Sequence, residues 1–314
     1  MKKEQLKNRL KLLVKLLFTA GALYFVFQKI DFQEFLTTIS QANFFLFLLG
    51  VLAMNVSKII SSFRLKEFYS AIGLELTTGY NIKLYYVGMF YNLFLPGSIG
   101  GDGYKVYLLR QNHPHKTRQL VSATLLDRVS GLMWLFILGG ILFIFSTYGL
   151  TIRELWIYVV LLLLLILPVA YLAFRWLFPV FVSKFIITSH YSFWVQAFQV
   201  VCAYIILKSI SADGNYIDYL TLFMASSVVA VIPFTVGGVG ARELVFLYGY
   251  QFLDIQRPDA IAFTILFFAS TALTAFSGLF FSYRIDQVQN KSSSVAAIQL
   301  TDEKQTEEHQ GGHQ

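Results

Sequence analysis

An apolar run from Asn81 is halted by Leu95-Pro-Gly-Ser-Ile-Gly-Gly-Asp-Gly-Tyr-Lys105, and this interruption limits the fold more than any other feature of the chain. Proline removes a donor and breaks a helix, while glycine supplies left-handed or close-approach backbone. In lipid, freed backbone groups are tolerated only where protein or a wet cavity satisfies them. The stretch therefore reads as the tip of a broken or re-entrant helix. It occurs twice. Leu95–Lys105 aligns without a gap on Ile232-Pro-Phe-Thr-Val-Gly-Gly-Val-Gly-Ala-Arg242, so that Pro96 matches Pro233, Gly100 and Gly101 match Gly237 and Gly238, Gly103 matches Gly240, and Lys105 matches Arg242, each pair 137 positions apart. Interrupted apolar segments at corresponding places in two halves point to a transporter's binding site.

The rest of the chain fits a bilayer. Of 314 residues, 56% are hydrophobic and only 14% are charged, which excludes an ordinary soluble domain. The net charge of +7 is not read as a nucleic-acid footprint, because Lys and Arg in a membrane protein report which loops are cytoplasmic. One cysteine, Cys202, excludes a disulfide or cysteine metal cluster and reads as a buried, inert thiol. No cleavable signal is apparent, so the first apolar run is expected to stay as a helix.

Hydropathy and loop charge give an all-α membrane protein with six transmembrane helices and two re-entrant hairpins in an inverted repeat. The spans are expected at 12–28, 43–62, 120–145, 155–174, 192–210 and 260–282. A short interfacial helix is expected within 29–42, where Phe32, Phe35, Leu36 and Ile39 keep helical spacing. Lys58, near the end of the second span, is read as reaching for the headgroups, with a cavity-facing position as the alternative. Residues 175–191 read as an inner segment, and 211–215 and 253–259 as outer turns. The result is a single polytopic domain over 1–284, with halves at about 1–145 and 155–284, and a disordered cytoplasmic tail at 285–314. Both termini are expected in the cytoplasm. The first hairpin opens inward and the second outward.

Each glycine cluster starts a half-helix whose free N–H groups and dipole favour an anion. The expected substrate site comprises Gly100, Gly101, Gly103 and Lys105 from one tip, and Gly237, Gly238, Gly240 and Arg242 from the other, with Pro96 and Pro233 setting the breaks. Arg suits a bidentate grip on phosphate, and Lys acts as a mobile point charge. Asp102 and Glu243 flank the cations, to neutralise them in the empty site or to carry a proton. Asp127 and Arg128 are candidate cross-helix partners, or simply anchors between hairpins and spans. Asn92 either ties loose backbone or touches substrate. No dinucleotide loop, metal cluster or nucleophile–base arrangement is found, and no cofactor or enzyme activity is expected.

At these residues the chain resembles the transmembrane region of lysyl-phosphatidylglycerol synthases, a family of flippase-like membrane domains. The matching motifs are Asn92–Lys105, the Asp127–Arg128 pair, and Pro233–Glu243, and the resemblance runs from about Leu12 to Arg284. It implies movement of an anionic or aminoacylated phospholipid between leaflets. The family's full-length enzymes carry a soluble aminoacyl-transferase domain after this region, and that activity is not carried over to this sequence. Lys105 stands where many relatives have Arg, which bears on headgroup preference. The expected partner is a membrane phospholipid or polyprenyl-phosphate-type lipid in an inner cell membrane, with a homo-oligomer left open. The alternative is a membrane-embedded lipid-modifying transferase, or an accessory subunit of one.

Overall fold

The computed structural model describes residues 32–94, 100–112, 116–231, 241–256 and 258–281. The expected first span and the polar tail lie outside these residues, as do Pro96, Pro233, Gly237, Gly238 and Gly240. Eleven α-helices are described: α1 (Phe32–Gln41), α2 (Phe44–Ala71), α3 (Thr78–Phe94), α4 (Gly100–Asn112), α5 (Thr117–Phe145), α6 (Thr147–Thr151), α7 (Leu155–Leu177), α8 (Phe185–Ser209), α9 (Tyr216–Val231), α10 (Ala241–Gly249) and α11 (Pro258–Phe281). Five are long and apolar enough to cross a membrane: α2, α5, α7, α8 with the 3₁₀ turn before it, and α11. The protein is an all-helical membrane protein. The short α1 falls where the interfacial helix is expected.

Two boundaries differ from expectation. The second span does not stop at Ser62; α2 runs to Ala71 because Leu65, Phe68 and Tyr69 continue a fully buried face. Lys58 therefore stands near the middle of α2, more than three turns from either end. Residues 175–191 are also largely helical. A 3₁₀ turn at Pro179–Lys184 leads straight into α8, and Phe181 and Phe185 pack into the core. Phe68 holds this corner, its ring centroid 6.3 Å from Phe174 and 6.1 Å from Phe181.

Small side chains set the central helix pair. Gly50, Ala53, Ser57 and Ser61 line one face of α2, all buried, and let α8 approach closely. Ser57 Oγ donates to the Val195 carbonyl at 2.9 Å. A similar contact joins α3 to α11, where a Cβ on Gly278 would stand 2.1 Å from the Tyr86 carbonyl oxygen. Gly278→Ala is expected to destabilise the protein by about 1–3 kcal/mol through overpacking. A lower melting temperature in detergent, with the secondary structure retained, checks this.

Loops gather at two ends. At one, Lys66 Nζ donates to Thr78 Oγ1, Lys184 pairs with Glu67 at 2.7 Å, and Lys116 Nζ donates to the Ile72 and Gly73 carbonyls. At the other, Asp218 accepts from the Thr147 N–H at 2.8 Å and the Asp254 N–H at 3.0 Å. Gly214, with φ of +97°, sits in the turn there and bridges to Ile255. α3 and α4 pack on one another with their outer ends at the first group of loops. α9 and α10 pack on one another with theirs at the second.

Candidate functional site

The centre of the molecule is charged. α3 and α4 touch through glycine: a Cβ on Gly101 would stand 1.7 Å from the Gly88 carbonyl oxygen, so only glycine fits there. Asn92 Oδ1 accepts the Gly101 N–H at 2.8 Å. Of the two roles open to Asn92, it takes the tie to backbone. The N–H of Gly101 is thus occupied at the start of α4. Gly103, by contrast, faces open space, with nothing within 4 Å of a built Cβ.

The stem of Lys105 crosses Gly88, the missing side chain leaving room for it. Its Nζ pairs with Asp102 Oδ1 at 2.8 Å and lies 4.9 Å from the Tyr85 ring centroid. Asp102 also accepts from Arg128 Nε through its other oxygen. One buried carboxylate therefore serves two cations. Its neighbour on α5, Asp127, pairs with Arg64 Nε at 2.7 Å, with both side chains about 5% exposed. Arg64 Nη1 donates to Ser192 Oγ at 3.0 Å. The guanidinium rests on Gly131, whose carbonyl accepts from Gln196 Nε2 at 3.0 Å. These bonds tie α2, α4, α5 and α8 together.

Arg242, near the start of α10, is held differently. Its guanidinium carbon lies 4.6 Å from the Phe267 ring centroid and 5.2 Å from that of Phe223. Its Nη1 is buried with no hydrogen-bond partner. Glu243 is half-buried beside it. Lys58 on α2 is an electrostatic neighbour of Arg242, Arg64 and Asp127. One turn away, Asn55 Nδ2 donates to Thr274 Oγ1 at 3.1 Å, and Asn55 Oδ1 accepts from Tyr86 at 3.0 Å. Cys202 is buried, 3.9 Å from Ser270 Oγ.

The profile of the lysylphosphatidylglycerol synthase transmembrane region matches residues 12–187 and 180–278, most of the chain. The chain belongs to that family. No curated protein matches it. In this member of the lysylphosphatidylglycerol synthase transmembrane-region family, Asp102, Lys105 and Arg128 from the expected site form one ion-paired triad, and Asp127 forms a second pair with Arg64. Arg242 stands apart from these pairs, against Phe223 and Phe267. Sequence reasoning missed Arg64, Ser192 and Tyr85 as members of this region. The signal was present: Asn55, Ser57, Lys58, Ser61, Ser62 and Arg64 crowd polar groups into one membrane-length helix. Placing the end of the span at Ser62 hid it, because Arg64 then looked like a boundary residue.

Proposed function

We propose that this protein moves a phosphate-bearing lipid, an anionic or aminoacylated phospholipid above all, between membrane leaflets. The carrying observation is the charge balance at mid-protein. Five cations, Lys58, Arg64, Lys105, Arg128 and Arg242, face three carboxylates, Asp102, Asp127 and Glu243. Charge inside a membrane-spanning fold is costly unless it is paired or used, and an excess of one sign suits a substrate of the other.

The helix pairs α3/α4 and α9/α10 act as two re-entrant hairpins in this reading. At 1.5 Å per residue α3 and α9 are each about 25 Å long, and their return arms are shorter. All four fall short of the roughly 30 Å hydrocarbon core. Their outer ends lie at opposite groups of loops, as an inverted repeat requires. Lys66, Lys116 and Lys184 lie at the α3/α4 end, which supports a cytoplasmic position for that end. The acyl chains have a place to lie: an apolar groove of about 400 Å³ between α5, α7 and α9, lined by Leu135, Gly139, Leu163, Met224 and Val228.

Purified protein in vesicles is expected to speed the exchange of labelled phosphatidylglycerol, its aminoacyl forms or polyprenyl phosphate between leaflets. Rates equal to protein-free vesicles for all three lipids would sink the reading. Single cysteines at the exposed positions Gln111 and Gln256 are expected to label from opposite sides of the membrane, and labelling of both from one side rules out the inverted topology.

A further inference from the structure

The ion pairs at mid-protein differ in charge balance. Asp127 meets one cation, Arg64, and that pair is neutral and about 5% exposed on both sides. Asp102 meets two, Lys105 and Arg128, so this triad carries a surplus positive charge. Its two cations are not equivalent. Lys105 is sealed, with 4% of its side chain exposed, its stem across Gly88 and its ammonium 4.9 Å from the Tyr85 ring centroid. Arg128 keeps 27% of its side chain exposed. It stands 11 positions beyond Thr117 (128 − 117), about 16 Å from the start of α5. A guanidinium exposed so deep in a membrane-length helix needs an anion or water beside it.

Helix register joins Arg128 to the bilayer and to the apolar groove. Val121, Leu125 and Arg128 are four and three positions apart, so they share one stripe of α5, and Val121 and Leu125 are exposed apolar residues. The stripe continues through Leu135, Gly139 and Phe143, which stand 7, 11 and 15 positions beyond Arg128 and line the groove against α7 and α9. A second hollow, of about 290 Å³, shares Phe143, Thr221 and Ala225 with the first and extends it to Phe252. At 1.5 Å per residue the groove begins about 10 Å along α5 from Arg128 and reaches Phe143 at about 22 Å. One leaflet's share of the hydrocarbon core is about 15 Å, so an acyl chain hung from a phosphate at Arg128 has the length to lie in it.

We infer that Arg128 binds the phosphate of a membrane lipid, with one acyl chain of that lipid in the groove along α5, and that Lys105 and Arg64 are structural cations. A phosphodiester carries a single negative charge, which matches the surplus: Asp102 stays paired with Lys105, and the guanidinium of Arg128 takes the phosphate. A lipid suits the place better than free phosphate, because the cation and the groove lie on one helix face that is open to the bilayer. This assignment rests on the lipid-transport reading for the source of the phosphate.

The full chain in an uncharged detergent is titrated with dioctanoyl-phosphatidylglycerol, with dioctanoyl-phosphatidylcholine and with inorganic phosphate. Wild type is expected to prefer the anionic lipid to the zwitterionic one. Arg128→Gln is expected to weaken binding of the anionic lipid about tenfold or more, as the loss of one charge-assisted contact predicts. It leaves Asp102 and Lys105 as a neutral pair, so its melting temperature is expected to stay near that of wild type. Ala225→Trp, at an exposed position shared by both hollows, is expected to weaken the two lipids alike. Inorganic phosphate that binds wild type, is lost in Arg128→Gln and is unaffected by Ala225→Trp identifies the oxyanion alone as the ligand of Arg128. Phosphate that fails where the lipid binds identifies the headgroup in its lipid.

Equal binding of the two lipids by wild type, or unchanged binding of the anionic lipid in Arg128→Gln, overturns the assignment. If Arg128→Gln does not fold, wild type decides alone. In phosphatidylcholine vesicles, phosphatidylglycerol with a diazirine at one chain end is expected to label α5 and α9 around Phe143 and Ala225, and excess unlabelled phosphatidylglycerol to suppress the label. No label there, as when another helix fills the groove, overturns the assignment. Lipid exchange at the wild-type rate in Arg128→Gln removes this site and leaves the transport reading standing. Selective binding by wild type with no exchange does the reverse.

Discussion

Asp127→Asn is expected to lower the stability of the folded protein by about 3–5 kcal/mol, the range for removing one partner of a buried ion pair. Arg64 would keep its charge in a site about 5% exposed, with only the Ser192 hydroxyl near its Nη1. The loss should appear as a lower melting temperature in detergent and faster proteolysis between α2 and α5. The double variant Arg64→Met with Asp127→Leu is expected to recover most of it, because a well-packed apolar pair removes both desolvation penalties. That recovery is the informative part. A pair kept for packing alone can be replaced without loss of lipid exchange. A pair that holds the site's geometry cannot, so restored stability with lost exchange is the expected combination.

Among the described glycines, Gly101→Ala is expected to be the most damaging added methyl. The added carbon would stand 1.7 Å from the Gly88 carbonyl oxygen and 3.0 Å from the Asn92 side chain. Neither can yield without moving a helix, so α3 and α4 must separate. The Asn92 to Gly101 bond at 2.8 Å breaks, and Asp102, one residue on, leaves its place between Lys105 and Arg128. Exchange activity is expected to fall below detection even where protein accumulates in the membrane. Gly103→Ala is the control two residues away: a methyl there meets nothing within 4 Å, and the change is expected to be nearly neutral. Equal effects at the two positions would mean that the close approach of α3 and α4 is unimportant. In-membrane crosslinking between α3 and α4 reports their separation directly.

Much of this centre was legible in the sequence, for a plain reason. Charged residues are rare in apolar runs, so Asp102, Lys105, Asp127, Arg128 and Arg242 stand out as soon as the spans are drawn. Asn92 could be matched to exposed backbone because a helix break leaves donors to satisfy. The partition of these residues was not legible. Whether Asp102 serves Lys105, Arg128 or both depends on how α4 and α5 face one another, which periodicity does not encode. Lys58 looked like a residue at a span boundary for a local reason. The apolar count along α2 stops at Ser62, whereas the helix goes on because Leu65, Phe68 and Tyr69 find partners on α5, α7 and the turn before α8. A side chain near a boundary in the sequence thus became one near the middle of the molecule.

The bonds of Asp218 bear on how the molecule could move. Asp218 fastens the beginning of α9 to the first residue of α6 and to the chain after α10, and Tyr219 adds a bond from the Gln256 N–H at 2.9 Å. The outer ends of α9 and α10 are therefore riveted at one face of the protein. Any rocking of this pair must pivot at the rivet, and α9 works as a lever about 24 Å long. A tilt of only about 10° would swing its far end by roughly 4 Å.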